Sequence, residues 1–230
     1  MSQETVLIVG AGPGLSASLA RLCQAQGMKV ALAARNTGKL AELAAETNAS
    51  VHACDATDRA SVEALFTQLD GDIGTPNWVV YNASARVRGP MIEIDPDEVL
   101  KAVTITCHGG FLVAQQAAKR MLKRSSGSIF FTGASASVKG YVNSSSFAMG
   151  KFGLRGLAQS MARELSPQGI HVGHFIIDGG IREASGARED GGADKFLDPD
   201  AIAQTYLDIH RQARNSWTWE IELRPWVENF

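Results

Sequence analysis

The chain has 230 residues, 45% of them apolar and 20% charged, with a formal charge of −2. That size suits one α/β domain with a substantial core, and the near-neutral balance lacks the basic excess that marks a nucleic-acid surface. The longest apolar runs, such as "VLIVGAG" and "VALAA", are far shorter than the roughly 18–20 residues that cross a bilayer.

The N-terminus "MSQETVLIVG" leads straight into a strand, without the charged lead and apolar stretch of a secretory signal. Three cysteines, Cys23, Cys54 and Cys107, show no CxxC spacing and read as reduced core thiols of a cytoplasmic protein.

In chain order, "TVLIVG" is a buried-type strand, followed by a helix with Leu15, Leu19 and Leu22 on one face. Gly27 closes that helix and "MKVALAA" is the second strand. Leu40 and Leu43 mark a short helix, "SVHACD" a third strand, and Asp58 an N-cap for a helix carrying Val62, Leu65, Phe66 and Leu69. "NWVVYNA" is the fourth strand. Pro96 opens a helical region running to Lys123, with a break suggested near Gly109-Gly110. "GSIFFTG" is the fifth strand, and Leu154, Leu157, Met161 and Leu165 stripe the next helix. "IHVGHFIID", the helix "DPDAIAQTYLDIH" and the strand "TWEIEL" complete the pattern. Such alternation implies a parallel sheet covered by helices on both faces, doubly wound, in a single domain over residues 1–230. Residues 183–196, "EASGAREDGGADKF", form the one loop-like stretch.

"GAGPGLS" follows the first strand and opens the first helix, the context that gives glycines meaning. Gly10, Gly12 and Gly14 permit a tight turn and a close approach to pyrophosphate, and the helix beginning at Leu15 turns its N-terminus toward that charge. A plain strand-to-helix turn is the bland alternative.

Taken with "CDATD", "YNAS", "GSIFFTGAS", the Lys151 helix and "IIDGGIRE", in that order and spacing, this turn resembles the short-chain dehydrogenase/reductase family over residues 5–225. Ser16 stands where the family has the turn's last glycine. The resemblance implies a Rossmann-type fold with a seven-stranded, mostly parallel sheet. It also implies a nicotinamide cofactor, with Asp55 and Ala56 at the adenine, Asn82 and Ala83 at the ribose side, and Ile181 at the nicotinamide amide. Asp178 replaces the usual proline nearby.

An NAD-selective site places a carboxylate at the end of the second strand. Here that position is Ala34, followed by Arg35, whose guanidinium suits a 2′-phosphate. NADP(H) is therefore favoured over NAD(H), with a solvated strand-end charge as the other reading of Arg35.

Members of the family transfer a hydride between nicotinamide and a carbonyl or alcohol, and need a transferable proton beside the developing alkoxide. Their proton-donating tyrosine stands four residues before the lysine. In this chain Lys151 is present, but that position is Phe147. The serine position falls on Ala134, with Ser135 its neighbour, and the asparagine position on Thr106. Ser135 and Tyr141 are the candidate substitutes, and Lys151 remains to hold the cofactor ribose. Losing a general acid costs about 10²–10⁴ in rate, without preventing nucleotide binding.

Arg86 and Arg88 read first as solvated loop arginines and second as partners of an anionic substrate. His171 and His174, three apart in a strand, point to opposite faces, against a shared metal. Trp217, Trp219 and Trp226 suggest a buried edge or an oligomer surface.

Two functions follow. One is an NADP(H)-dependent oxidoreductase on a small carbonyl or alcohol, with a non-standard proton donor. The other is a catalytically degenerate nucleotide-binding protein acting as a sensor or through partners. The resemblance also implies a cytoplasmic homodimer or homotetramer, joined through helices of residues 96–123 and 150–165, with residues 183–200 closing the substrate pocket. No nucleic-acid or membrane partner is expected.

Overall fold

In a computed structural model, residues 3–183 and 194–228 are described. Seven strands form one sheet in the order β3-β2-β1-β4-β5-β6-β7. They are β1 (Thr5–Val9), β2 (Lys29–Ala34), β3 (Ser50–Ala53), β4 (Trp78–Tyr81), β5 (Gly127–Thr132), β6 (Ile170–Ile177) and β7 (Glu220–Leu223). Every pairing is parallel, including the last, β6 with β7.

The reason lies in the strand sequences. β1 and β6 are buried along their whole length, as parallel strands covered on both faces must be. Side chains alternate between two cores. Leu7, Val9, Val79 and Phe131 meet helices α3 (Arg59–Asp72), α5 (Gly109–Met121) and α6 (Ser145–Leu165) through Phe66, Val113 and Leu154. Val6, Ile8, Val80 and Phe130 meet α1 (Leu15–Ala25) and α7 (Pro199–His210) through Leu19 and Tyr206. α2 (Ala41–Thr47) follows a 3₁₀ turn over Thr37–Leu40, and α4 (Pro96–Val103) precedes α5.

Caps form where the sequence pattern puts them. Asp58 accepts a bond from the Ala60 N–H at 3.0 Å, and Asp95, just before Pro96, accepts from Asp97 N–H at 2.8 Å.

One expectation shifts. The irregularity between α4 and α5 is a π-turn over Thr104–His108, ahead of the glycine pair. Gly109 and Gly110 are inside helix α5 and serve close packing instead. A Cβ on Gly109 would stand 2.5 Å from the Tyr81 hydroxyl, and one on Gly110 would stand 2.7 Å from Leu154 Cδ1. The Tyr81 hydroxyl donates to the Ile105 carbonyl within that π-turn, so β4 and the irregular turn are fastened together.

The chain winds outward from β1 to β2 and β3, then returns to place β4 on β1's other side. That reversal leaves a crevice beyond the carboxyl ends of β1 and β4, the usual ligand position in such sheets.

Candidate functional site

The crevice beyond β1 and β4 is a cleft of about 370 Å³ lined by the glycine turn, the end of β2 and the loops after β3 and β4. Gly10 has φ +81, and its Cβ would lie 2.4 Å from the Ala83 backbone nitrogen. Only glycine fits there. Gly10 and Ala11 N–H groups both donate to the Ala33 carbonyl, at 2.9 and 3.1 Å, which pins the turn to β2. Positions 12 and 14, in contrast, face open space within 4 Å. Backbone there is accessible to a ligand.

Ser16 is buried and ties the turn across the cleft. Its hydroxyl accepts from Asn82 Nδ2 at 2.8 Å and donates to the Gly10 carbonyl at 3.3 Å. A hydroxyl in place of the glycine of the resembled motif therefore couples the loop after β1 to the loop after β4.

Gly10, Gly12, Arg35, Asp55, Ala56, Asn82 and Ala83 all line this cleft. Asp55 accepts from the Thr57 N–H at 2.9 Å and hydroxyl at 2.7 Å. Those bonds, with Arg35 nearby, hold its carboxyl below the usual range. Gly14 and Leu15 lie just outside the lining, as the cap and buried first residue of α1. Ile181 stands apart too: it bridges Leu197 and packs on the α1–α7 core. Lys39, absent from the sequence reading, lines the cleft with Arg35. Its spacing in "ARNTGK" was the available signal, obscured because the 3₁₀ turn that brings it back has no hydrophobic period.

A second cleft, of about 570 Å³, is lined by Arg86, Arg88, Ser135, Tyr141, Ser144 and Phe147 among others. Both candidate substitutes, Ser135 and Tyr141, thus face one space with Phe147. Lys151, four residues along α6 from Phe147, is only 3% exposed. Its ammonium donates to the Thr132 carbonyl at 2.6 Å and lies 5.6 Å from the Phe147 ring. Burial, and then the Arg86 charge, push the ammonium down to about 7.

The guanidinium of Arg86 stacks on Phe147, 3.8 Å from the ring centroid. The loop carrying it is fastened on both sides by fully buried hydroxyls. Thr106 accepts from the Ala85 N–H at 3.1 Å and donates to the Ala85 carbonyl at 3.4 Å. Ser146 accepts from the Val87 N–H and donates to the Val87 carbonyl, both at 3.0 Å. Thr106 also abuts Gly150, whose Cβ would meet Thr106 Cβ at 2.8 Å.

Behind the second cleft runs a buried polar chain that the sequence reading missed. Ser137 bonds His174 Nε2 at 3.3 Å, and His174 Nδ1 bonds Glu220 at 3.0 Å. Arg155 grips Glu220 with two bonds of 2.6 and 2.7 Å. Burial pushes His174 down to about 4, against the pull of Glu220. This chain holds the turn after β5 from beneath. His171 instead stacks on Trp217, ring centroids 4.7 Å apart, and bonds the Thr218 carbonyl, so the two histidines do diverge. The three tryptophans part company as well: Trp219 packs on the core while Trp226 is 81% exposed.

Asp178, at the position where the resembled pattern has proline, is buried between Arg224 at 2.8 Å and Lys139 at 3.5 Å. An ion pair shapes that loop where a ring would otherwise do so. Of the stretch expected to close the pocket, residues 184–193 lie outside the described residues.

The family model described as short chain dehydrogenase matches residues 4–185. A 3-oxoacyl-[acyl-carrier-protein] reductase, MabA, of Mycobacterium avium is 29% identical over 197 residues, covering 84% of this chain and 75% of that protein. Among solved structures, a short-chain dehydrogenase from Rhodopseudomonas palustris superposes with TM-score 0.85 at 35% identity, covering 97% of this chain and 99% of that one. A metagenomic short-chain oxidoreductase in complex with NADP gives 0.84 at 25% identity, covering 98% of each chain. With the family model matching residues 4–185 and a solved short-chain dehydrogenase superposing over nearly the whole chain, the chain belongs to the short chain dehydrogenase family, oxidoreductases that bind a nicotinamide cofactor.

Proposed function

We propose that this chain is an NADP(H)-dependent oxidoreductase acting on a small carbonyl or alcohol, with a proton donor other than the family's tyrosine. The observation that carries the cofactor choice is the rim of the first cleft. Arg35 and Lys39 both line it, and Ala34 stands where an NAD-selective site needs a carboxylate. Two cations there suit a 2′-phosphate. The cradle fits the group sterically, since Gly10 closes on Ala83 while positions 12 and 14 leave open space.

When bound, the cofactor supplies or accepts the hydride. The chain's residues do the rest. Gly12, Gly14 and Leu15 present backbone N–H groups and a helix N-terminus to pyrophosphate, while Gly10, its own N–H on the Ala33 carbonyl, makes the tight turn that shapes the cradle. Asp55 and Ala56 edge the adenine, Asn82 and Ala83 the ribose side, and Ile181 the nicotinamide amide. Lys151, buried on α6 four residues from Phe147 with its ammonium on the Thr132 carbonyl, holds the second ribose. Phe147 occupies the tyrosine's position and has no proton to give, so a hydroxyl of Ser135 or Tyr141, or water held by them, protonates the alkoxide.

The second reading is a nucleotide-binding protein with little turnover. What favours it is specific: the ring facing the second cleft at position 147 carries no hydroxyl. Fluorescence titration with NADPH and NADH, and turnover across a carbonyl panel for the native chain and Phe147→Tyr, separate these. NADPH binding at least tenfold tighter than NADH is expected, with measurable native turnover. NADH binding equally well overturns the cofactor choice. NADPH binding with negligible native turnover supports the second reading.

The chain acts as one domain in the cytoplasm and assembles as a homodimer or homotetramer. Leu100, Phe111 and Phe152, exposed on α4, α5 and α6, support that assembly face; light scattering tests it. Among the described residues no helix is long and apolar enough to cross a membrane.

A further inference from the structure

We propose that Tyr141 is the proton donor and that Lys139, anchored on the buried carboxylate of Asp178, is the positioning residue that assists it. The inference rests on the oxidoreductase reading above and deepens it, choosing between the two candidate hydroxyls and naming a partner for the chosen one.

Separate elements bring these groups together. Asp178 follows β6, its N–H on the Leu223 carbonyl at 2.8 Å. Its buried carboxylate lies 2.8 Å from Arg224 and 3.5 Å from the Lys139 ammonium. Lys139 closes the turn after β5, where its N–H donates to the Ser135 carbonyl at 3.1 Å. Two residues on, Tyr141 lines the second cleft with Ser135 and Phe147. The Gly89 N–H, on the Asn143 carbonyl at 3.3 Å, ties this segment to the loop after β4. The charge of Asp178, and after it the nearby Tyr141 hydroxyl, hold the Lys139 ammonium above its usual range, so ammonium and phenol are neighbours. Because Arg224 also meets Asp178, the buried carboxylate keeps a cation when Lys139 is replaced.

A phenol is a stronger acid than a serine hydroxyl, and a neighbouring ammonium stabilises the phenolate it leaves behind. In reduction, hydride from NADPH forms the new C–H bond at the carbonyl carbon and the π electrons move to oxygen. The Tyr141 O–H bond then breaks as its proton forms the alcohol, and water reprotonates the phenolate. Two departures from the resembled pattern are thereby linked. Phe147 lacks the proton, and Asp178, in place of proline, anchors the cation beside the phenol that has one. Arg86 and Arg88 line the same cleft, and their charge acts alike in the native chain and in the Lys139 variants.

Ultraviolet difference titration of the cofactor-free chain tests the pair directly. The chain has three tyrosines, and burial holds Tyr81 and Tyr206 above the usual phenol range, so the first phenolate signal on raising pH isolates Tyr141. Tyr141→Phe should remove that signal, Lys139→Met should move it up by about one pH unit, and Lys139→Arg should leave it in place. NADPH oxidation with 4-nitrobenzaldehyde, ethyl acetoacetate and cyclohexanone supplies the second readout. Tyr141→Phe should lower kcat by about 10²-fold or more. Lys139→Met should lower it by about tenfold and displace the alkaline limb of the reduction rate upward, with Lys139→Arg restoring both. Circular dichroism checks folding; Tyr141 and Lys139 are both partly exposed. Near-native kcat in Tyr141→Phe, a phenolate signal indifferent to Lys139→Met, or a larger loss in Ser135→Ala than in Tyr141→Phe overturns the proposal. A native chain that binds NADPH but reduces none of the three carbonyls overturns the oxidoreductase reading and this one with it, whereas native turnover that survives Tyr141→Phe overturns this one alone.

Discussion

Lys151→Met should make the nucleotide-free protein more stable while weakening its grip on NADPH. The ammonium is 3% exposed, donates to the Thr132 carbonyl at 2.6 Å, and is held down to about 7 from the usual 10.5. Keeping it charged at neutral pH therefore opposes folding by about 4 kcal/mol. Methionine fills similar volume without charge, but leaves the Thr132 carbonyl without its donor, a loss of about 1–3 kcal/mol. The remainder favours the variant by about 1–3 kcal/mol, or roughly 3–9 °C in melting temperature for a chain of this size. Scanning calorimetry at pH 7 without nucleotide reads that shift. The pH dependence carries a sign of its own. Between pH 7 and 10.5 the unfolded lysine binds more protons than the folded one, so native stability rises with pH. The variant's advantage must then shrink toward pH 10. A variant that melts below the native protein at pH 7, or an advantage that ignores pH, refutes the reasoning.

Arg35→Gln with Lys39→Gln should weaken NADPH binding by about tenfold to a hundredfold and leave NADH binding nearly unchanged; parallel fluorescence titrations decide it. Gly10→Ala should destabilise by about 2–4 kcal/mol, because φ +81 and the Ala83 contact both oppose a side chain. Gly12→Ala, with nothing within 4 Å of its Cβ, should leave urea stability within about 0.5 kcal/mol and impair NADPH binding; equal stability losses at the two positions would contradict the cradle. His174, held near 4 against an ordinary 6.5, makes the unfolded state take up a proton first on acidification. Native stability should fall by about 3 kcal/mol between pH 7 and 4 on this account, with loss of the Arg155–Glu220 pair adding in the same direction. His174→Asn should flatten that profile in denaturant titrations, and an unchanged profile would exonerate the imidazole.

What the sequence made legible follows its periodicities. Strand runs of five to eight residues dominated by apolar and β-branched side chains on both faces, such as Thr5–Val9 and Ile170–Ile177, report burial on two faces, and hence a covered parallel sheet, without reference to any partner. The glycine turn was legible for a similar reason: φ +81 at Gly10 is a local demand with a local signature. The π-turn at Thr104–His108 was not, because it arises from a bond between Tyr81 and Ile105, twenty-four residues apart. Likewise, Ser137, His174, Glu220 and Arg155 come from four separate elements. No spacing along the chain encodes their meeting.

The positions that depart from the resembled pattern teach the more useful lesson, because they do not depart independently. Read one at a time, Phe147 and Thr106 are deletions: a ring without its hydroxyl, an amide replaced by an alcohol. Folded, each has a partner that the resembled roles do not require. Thr106 spends both donor and acceptor on Ala85, Ser146 does the same for Val87, and Phe147 carries the cation between those two anchors. Random decay of a catalytic site leaves holes and unpaired polar atoms, each costing about 1–3 kcal/mol when buried. Here the altered positions are packed and hydrogen-bonded around one guanidinium.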